Sequence, residues 1–179
     1  MFVKFWGVRG SIPTPEHASR IYGGNTSCVE VRTQEGLFIL DAGTGIRRLG
    51  ADLMGRGLSN INVNFLFSHP HWDHIQGFPF FTPAYIPGNT LNVYDVGNDH
   101  KIADLLSGQM SSGYFPVDFK DLGGNVVPQQ LQEGRQVIDG ITVSYLKQVH
   151  PGGSFAYCLE ADGKKVIYAT DSEIDSHFK

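Results

Sequence analysis

Hydrophobic and polar positions predict alternating strands and helices along the first two thirds of the chain, and strands almost alone after that. The predicted strands cover residues 3–6, 28–32, 37–40, 61–67, 91–95, 125–131, 135–138, 141–149, 154–160 and 165–170. The predicted helices run from Ile46 to about Gly55, for a short distance from Asp73 or His74, and over 99–110 with Asp99 as the N-cap. This order favours an α+β fold in which two sheets face each other and helices pack outside.

Composition narrows the class of protein. The 179 residues, 41% of them hydrophobic, suit a single domain over residues 1–179. A formal charge of −4 gives no general attraction to nucleic acid or to an anionic membrane, so we expect neither extended nucleic acid nor a membrane as a partner. Cys28 and Cys158 could pair, but two buried free thiols in a reducing cytosol fit better, which predicts a cytoplasmic location.

Three of the seven histidines lie within six residues, directly after the predicted strand 61–67. The motif reads His69-x-His71-x-Asp73-His74. Alternation along an extended segment directs His69 and His71 to the same side, where both imidazoles can meet one cation. Asp73 and His74 lie past the bend and can reach a second cation. Zinc and related metals favour such mixtures of imidazole and carboxylate, so the motif predicts a metal site.

Two more candidate ligands each follow a predicted strand. His150 comes after strand 141–149, and Asp171 comes after strand 165–170. Taken alone, a histidine at a strand end is usually an ordinary polar residue, and an aspartate there often forms a turn. Strand ends on one edge of a sandwich can converge on a point, however. Their joint occurrence downstream of the histidine motif predicts that both belong to the metal site.

These residues, in this order, resemble the metallo-β-lactamase-fold hydrolases. Three N-terminal segments make the resemblance more specific: Gly-Val-Arg-Gly-Ser at 7–11, Tyr-Gly-Gly-Asn-Thr-Ser-Cys at 22–28 and Leu-Asp-Ala-Gly-Thr-Gly at 40–45. They resemble the phosphodiesterase-like branch, which includes ribonuclease Z, phosphonate-pathway cyclic phosphodiesterases and class II cyclic-nucleotide phosphodiesterases. The resemblance covers essentially the whole chain. It implies an αββα sandwich of two facing mixed sheets with outer helices.

The resemblance also implies a role for each site residue. His69, His71 and His150 would hold one divalent metal ion, Asp73 and His74 a second, and Asp171 would bridge the two. Zinc is the expected metal, with manganese or iron as alternatives. Asp41 would orient a ligand imidazole from behind, although an aspartate leading into a helix can equally be a turn residue.

One part of the pattern is missing. Members of the family carry a further histidine some tens of residues beyond the bridging aspartate, whereas this sequence ends eight residues after Asp171. His177 is too close to Asp171 to replace it. We therefore expect the C-terminal portion of the fold to be missing and a sheet edge to be exposed, which a homodimer would cover. A catalytically inactive metal-binding or interaction module is the resulting alternative function.

The leading functional hypothesis is a metal-dependent phosphodiesterase acting on a small nucleotide or cyclic phosphate. Two metals would lower the pKa of a bridging water and clamp the phosphodiester oxygens. Asp73 could accept a proton from that water, and Arg9, Ser11 and Asn25 could contact a phosphate or a base. A lactone or thioester hydrolase is a second alternative. Processing of tRNA 3′ ends is a weaker one, because the chain is acidic and lacks a basic, glycine-containing arm.

Overall fold

The computed structural model describes residues 1–96 and 101–173, which form ten strands and three α-helices. The strands are β1 (Phe2–Gly7), β2 (Cys28–Arg32), β3 (Leu37–Leu40), β4 (Asn62–Leu66), β5 (Thr90–Val96), β6 (Asn125–Leu131), β7 (Gln136–Ile138), β8 (Ile141–Gln148), β9 (Ser154–Ala161) and β10 (Lys164–Tyr168). The α-helices are α1 (Ile46–Gly55), α2 (Trp72–Ile75) and α3 (Ile102–Gln109), and short 3₁₀ helices cover His17–Arg20, Phe78–Phe80, Thr82–Tyr85 and Phe119–Asp121.

The strands form two sheets. The first has the order β1-β2-β3-β4-β5-β6; it is antiparallel from β1 to β3 and parallel from β3 to β6. The second has the order β10-β9-β8-β7 and is antiparallel throughout. The predicted two-sheet fold is thus confirmed, but only the first sheet is mixed.

Side chains alternate between two hydrophobic layers, as a strand period of two requires. In β3, Ile39 contributes to the layer under the helices, whereas Phe38 and Leu40 belong to the layer between the sheets. The layer under the helices includes Leu49 and Leu53 of α1. The layer between the sheets is completed from the second sheet by Ile141, Val143, Tyr157 and Leu159. In the described residues the helices lie on the outer face of the first sheet.

Most predicted elements are confirmed, and the differences have local causes. No helix is predicted between the short helix at Asp73 or His74 and strand 91–95, but the structure forms the 3₁₀ helix Thr82–Tyr85 there. Helix α3 begins at Ile102, whose backbone N–H donates to the Asp95 side chain at 2.7 Å, so β5 caps this helix. Asp99, the expected cap, lies outside the described residues. Cys28 and Cys158 are both free, but Cys158 is only half-buried, because it lies on the outer side of β9.

The fold gathers four strand ends at one edge of the sandwich. Asp41 follows β3, and the segment beginning at Ser68 follows the parallel neighbour β4. His150 follows β8 and Asp171 follows β10; these two strands run in the same direction because β9 lies antiparallel between them. None of the helices formed by residues 1–96 and 101–173 is long and apolar enough to cross a membrane.

Candidate metal centre

The histidine motif lies in the turn that joins β4 to α2. His71 is extended, with φ −61° and ψ 150°, and immediately precedes α2. The His71 carbonyl accepts the His74 N–H at 2.9 Å, which closes the turn. His69 and His74 are buried, whereas His71 is exposed. A single turn therefore presents three imidazoles at different depths of the same edge.

Three imidazoles form the first group of donor atoms. His71 Nδ1 lies 3.0 Å from His69 Nε2 and 3.2 Å from His150 Nε2. Nitrogens about 2.0–2.1 Å from one tetrahedral Zn²⁺ would lie about 3.3–3.4 Å from each other. The three nitrogens thus have a spacing that a single cation can bridge. The structure brings His150 to the motif as the sequence predicts, across 79 residues.

The second group combines imidazole and carboxylate. His74 Nε2 lies 2.7 Å from Asp171 Oδ2 and 3.5 Å from Asp73 Oδ2. Asp171 Oδ2 is also 3.5 Å from His69 Nε2, which belongs to the first group. Donor atoms of His69, His74 and Asp171 all lie within 4.8 Å of one another. Asp171 therefore lies between the two groups, and its role as a bridging ligand, which the resemblance implies, stays a prediction.

Asp41 is fully buried and holds the motif from behind. Its Oδ1 accepts the Ser68 N–H at 2.7 Å. Its Oδ2 accepts from the Ser68 hydroxyl at 2.7 Å, the Tyr168 hydroxyl at 2.6 Å and His74 Nδ1 at 2.6 Å. Because His74 donates through Nδ1, its Nε2 is directed at Asp171. The hydrogen bond fixes the orientation of the His74 ring, and that Asp41 orients a metal ligand in this way stays a prediction.

The same hydrogen bonds set the protonation of the two buried imidazoles. Burial lowers the pKa of His74, but the hydrogen bond to Asp41 and the charges of Asp41, Asp73 and Asp171 outweigh burial and raise this pKa to about 9. Burial and the neighbouring charge of His74 lower the pKa of His69 to about 4. Ser68 Oγ donates its hydroxyl proton to Asp41 and lies 3.0 Å from His69 Nδ1. Ser68 Oγ can therefore only accept from His69, which assigns the imidazole proton of neutral His69 to Nδ1 and its lone pair to Nε2.

These donors fit a divalent metal. His74 Nε2 is buried and has no hydrogen bond of acceptable geometry to the described residues, although Asp171 lies next to it. A buried polar atom without a hydrogen bond needs another partner, because leaving such an atom unpaired costs about 1–3 kcal/mol. The lone pair of His69, and that of His74 once its Nε2 proton has been released, converge with the Asp171 carboxylate. Imidazole with carboxylate is the donor set of zinc and related metals.

The N-terminal loop reaches the centre through its backbone. The Ser11 N–H donates to Asp73 Oδ2 at 2.7 Å. The other two residues predicted to contact substrate, Arg9 and Asn25, make local hydrogen bonds instead. Arg9 Nε donates to the Ile12 carbonyl at 2.8 Å, and Asn25 Oδ1 accepts from the Thr44 hydroxyl at 3.2 Å. The structure thus brings Ser11 to the cluster and gives Asn25 a structural contact.

Backbone geometry at the centre is unusual. Ser11, Asp41 and Asp171 have positive φ values of 75°, 60° and 50°. Such conformations cost non-glycine residues free energy and gather at functional sites. Close packing adds a further constraint: a Cβ added at Gly43 would collide with the Asp73 carbonyl oxygen, so only glycine allows α1 to start this close to the motif.

Sequence reasoning missed two residues of the centre. Ser68 precedes the motif and links Asp41 to His69. Tyr168, on β10, donates to Asp41 across 127 residues, and its hydroxyl is 2.5 Å from Ser27 Oγ. Position within the motif could have indicated Ser68, but no sequence pattern indicates Tyr168. His177 lies outside the described residues.

A cluster of imidazoles and carboxylates at one edge of a two-sheet sandwich defines a class of metal-binding hydrolase folds. Comparison with known families gives the class a name: the sequence model of the metallo-beta-lactamase superfamily matches residues 21–176. The chain belongs to that superfamily, which comprises metal-dependent hydrolases.

Known proteins similar to this chain agree with the assignment. The RNase J-like protein of Methanocaldococcus jannaschii is 29% identical over an alignment of 155 residues, which covers 81% of this chain and 33% of that protein. Ribonuclease Z of Methanothermobacter thermautotrophicus is 26% identical over an alignment of 169 residues, which covers 89% of this chain and 48% of that protein. The chain thus spans between a third and a half of the length of these relatives.

A solved structure shares the fold. A diphosphatase of the PhnP family superimposes with a TM-score of 0.62 at 17% sequence identity, covering 88% of this chain and 61% of that one. At this level of identity the similarity concerns the fold alone.

Proposed function

We propose that this chain is a binuclear metal-dependent phosphodiesterase acting on a small nucleotide or cyclic phosphate. One observation carries the proposal: Asp171 Oδ2 lies 2.7 Å from His74 of one donor group and 3.5 Å from His69, which belongs to both. Two cations held by ligands this close together would suit a phosphodiester, because the developing negative charge is spread over several oxygens.

The first group, His69, His71 and His150, would hold one metal ion. Asp73 and His74 would hold the second, and Asp171 would contact both. When bound, the metals supply positive charge for the phosphate oxygens and lower the pKa of water to near neutrality. Zinc fits the imidazole-rich donor set best, and manganese and iron remain alternatives.

The chain's own residues orient the site and handle protons. Asp41 keeps the His74 proton on Nδ1 and thereby directs Nε2 inward. Asp73 Oδ2 accepts the Ser11 N–H, so we assign the other oxygen, Oδ1, as the acceptor of a proton from water. Arg9 is exposed in the same N-terminal loop as Ser11, and we propose that its guanidinium contacts the substrate phosphate. Ser11 would act through its backbone and Asn25 by supporting the loop.

Comparing two substrates on one sample tests the reaction type. Chelator-treated protein is supplied with Mn²⁺ or Zn²⁺ and given bis-p-nitrophenyl phosphate or a small lactone. We expect metal-dependent release of nitrophenol and little lactone opening. Lactone opening without phosphodiester turnover would instead favour the lactone or thioester hydrolase.

An RNA phosphodiester is a second candidate substrate, favoured by the names of the two relatives, an RNase J-like protein and a ribonuclease Z. The net charge of −4 argues against it, since RNA binding relies on cationic surfaces. A labelled single-stranded oligoribonucleotide, incubated with the metal-loaded protein, separates the two. Cleavage more efficient than that of the small ester would make RNA the substrate class.

The inactive metal-binding module is the remaining alternative. Among the described residues, the second metal has only Asp73, His74 and Asp171 as ligands. Elemental analysis after dialysis distinguishes the cases: two retained metals per chain with turnover support the enzyme. Fewer than about one metal per chain, without turnover, would favour the inactive module.

A cytoplasmic location and a homodimer stay predictions. Strand β10 forms an edge of the second sheet, and Ile167 on it is 66% exposed. Val137 and Leu146 of the same sheet are 70% and 72% exposed. Val137 lies on β7, at the opposite edge of this sheet, and Leu146 lies on β8, so the exposed apolar surface extends across the sheet. A second copy of the chain would cover the β10 edge together with part of this surface. Light scattering should then give a dimer mass that Ile167→Lys converts to the monomer mass; a monomeric parent protein would contradict the prediction.

A further inference from the structure

An aromatic groove lies beside the metal centre and has no role in the chemistry described above. It has a volume of about 640 Å³, within the usual range for small-molecule sites. Pro70 and Trp72, which flank His71 in the motif, form the end nearest the metal centre. Its other principal walls are Phe80, Leu105, Tyr114 and Phe115. The groove is therefore continuous with the turn that carries the metal ligands.

The groove exposes large aromatic surfaces to water. Trp72 is 75% exposed, Tyr114 85% and Phe80 54%. Phe80 and Phe115 pack edge to face, with ring centroids 5.5 Å apart, and so fix one wall. Gly108 of α3 also lines the groove, and an added Cβ there would meet no atom within 4 Å. Exposed aromatic faces of this kind can stack against a flat ring.

Charge decides which part of a substrate the groove can take. No Lys or Arg lines it among the residues that the structure describes, whereas Asp104 and the amides of Gln76 and Gln109 do. Gln109 Nε2 donates to the Ile75 carbonyl at 3.1 Å, which holds that amide in place. A phosphate would be repelled by Asp104 in the groove and attracted to the metal ions that the centre would hold. An uncharged planar group with hydrogen-bonding edges would instead favour the groove, where it can stack on the aromatic rings and hydrogen-bond to Asp104 and the amides.

We propose that this groove binds the nucleobase of a nucleotide substrate by stacking on Trp72 and Tyr114, while the phosphodiester lies at the metal centre. The proposal rests on the proposed phosphodiesterase function and adds the substrate class: a nucleoside ester rather than a simple alkyl or aryl phosphate. Stacking on an aromatic side chain is tolerant of base identity. Asp104 and the two glutamine amides offer acceptors for the amino groups of adenine, guanine or cytosine.

Selectivity between two esters with the same leaving group tests the groove. Thymidine 5′-(p-nitrophenyl phosphate) carries a base, and methyl p-nitrophenyl phosphate does not. We expect Trp72→Ala and Tyr114→Ala to lower the ratio of kcat/KM for the thymidine ester to that for the methyl ester by about 5- to 100-fold each. Trp72→Phe should restore most of the ratio. Gly108→Leu, which fills the groove from α3, should lower it without touching the motif.

Phe5→Ala is the matched control, because Phe5 is an exposed aromatic residue, 66% accessible, on β1 and outside the groove. It should leave both rates unchanged. An unchanged ratio in Trp72→Ala, Tyr114→Ala and Gly108→Leu would overturn the proposal while leaving the phosphodiesterase intact. A shift of the groove variants from dimer to monomer with an unchanged ratio would also overturn it and identify the groove as a protein interface.

A binding measurement separates failure of the groove from failure of the function. Adenosine 5′-monophosphate should quench the tryptophan fluorescence of the parent protein saturably, and Trp72→Phe, which retains Trp6, should lose the quenching. If the parent protein hydrolyses neither ester but shows this Trp72-dependent quenching, the groove stands and the proposed function fails. Absence of quenching in a protein that hydrolyses the methyl ester would refute base binding.

Discussion

Replacing Asp41 by asparagine should disable the second metal position without removing a ligand. The amide oxygen can still accept the Ser68 N–H, but an NH₂ group would face three donors: Ser68 Oγ, Tyr168 OH and His74 Nδ1. The hydroxyls can rotate and accept instead. The imidazole can accept only by moving its proton to Nε2, where it blocks the lone pair needed for a metal.

Two magnitudes follow from the structure. The rise of the His74 pKa from 6.5 to about 9 corresponds to roughly 3 kcal/mol in favour of the protonated ring; this is a net value, in which burial opposes the hydrogen bond to Asp41 and the charges of Asp41, Asp73 and Asp171. With the lost hydrogen bonds, we expect the metal-free variant to be less stable by roughly 2–4 kcal/mol. Loss of a carboxylate behind a ligand histidine typically weakens metal binding about 10- to 100-fold.

Competition with a fluorescent chelator measures metal affinity, and urea unfolding of the metal-free protein measures stability. Asp139→Asn is the matched control: Asp139 also has a positive φ, 42°, and accepts from Asn62 and Asn64, but it lies in the β7–β8 turn. It should lower stability and leave metal affinity unchanged. If Asp41→Asn binds both metals as tightly as the parent protein, Asp41 does not orient His74 and the reasoning is wrong.

Three further predictions concern the same centre. His69→Ala combined with His71→Ala should abolish binding at the first position, measured by elemental analysis after dialysis; retained stoichiometry would show that the ligands are misassigned. Because the pKa of His74 is raised to about 9, the metal-free protein holds this proton at pH 7.5, and metal binding should release it. Calorimetry in two buffers of different ionisation enthalpy should detect about one proton, with affinity rising as the pH approaches 9; equal heats in both buffers would exclude the release. Tyr168→Phe should lower stability by about 0.5–1.5 kcal/mol in urea unfolding and weaken metal binding more than Tyr145→Phe does, whereas equal effects would show that the Tyr168 hydroxyl does not support Asp41.

Local sequence patterns predicted the elements of the fold well. The bounds expected for 28–32, 37–40 and 125–131 agree with β2, β3 and β6, because apolar residues there either alternate or form short buried runs between turn residues. Helices were expected to pack outside the sheets, but local pattern did not show that the helices of the described residues cover the first sheet, which is a property of the whole sandwich. Nor did pattern show that the second sheet is purely antiparallel, since strand direction depends on connections between distant segments.

The candidate site was predictable to the extent that its chemistry lies within one turn. His69, His71, Asp73 and His74 are recognisable because their spacing brings them together whatever the rest of the chain does. His150 and Asp171 required the assumption that strand ends converge, and the structure does bring them there. Tyr168 could not be found, because its hydroxyl reaches Asp41 only once β10 has joined the second sheet. The positive φ of Asp41 and of Asp171 likewise becomes visible only in the folded chain.

Titrating metal into the stripped protein while following phosphodiester turnover tests the central claim most directly. Bis-p-nitrophenyl phosphate hydrolysis should be absent without metal, rise with added Zn²⁺ or Mn²⁺, and level off near two equivalents per chain. The variant combining His69→Ala and His71→Ala should stay inactive throughout. Turnover by the metal-free protein, or turnover that survives in this variant, would contradict the assignment of a two-metal phosphodiesterase centre to these residues.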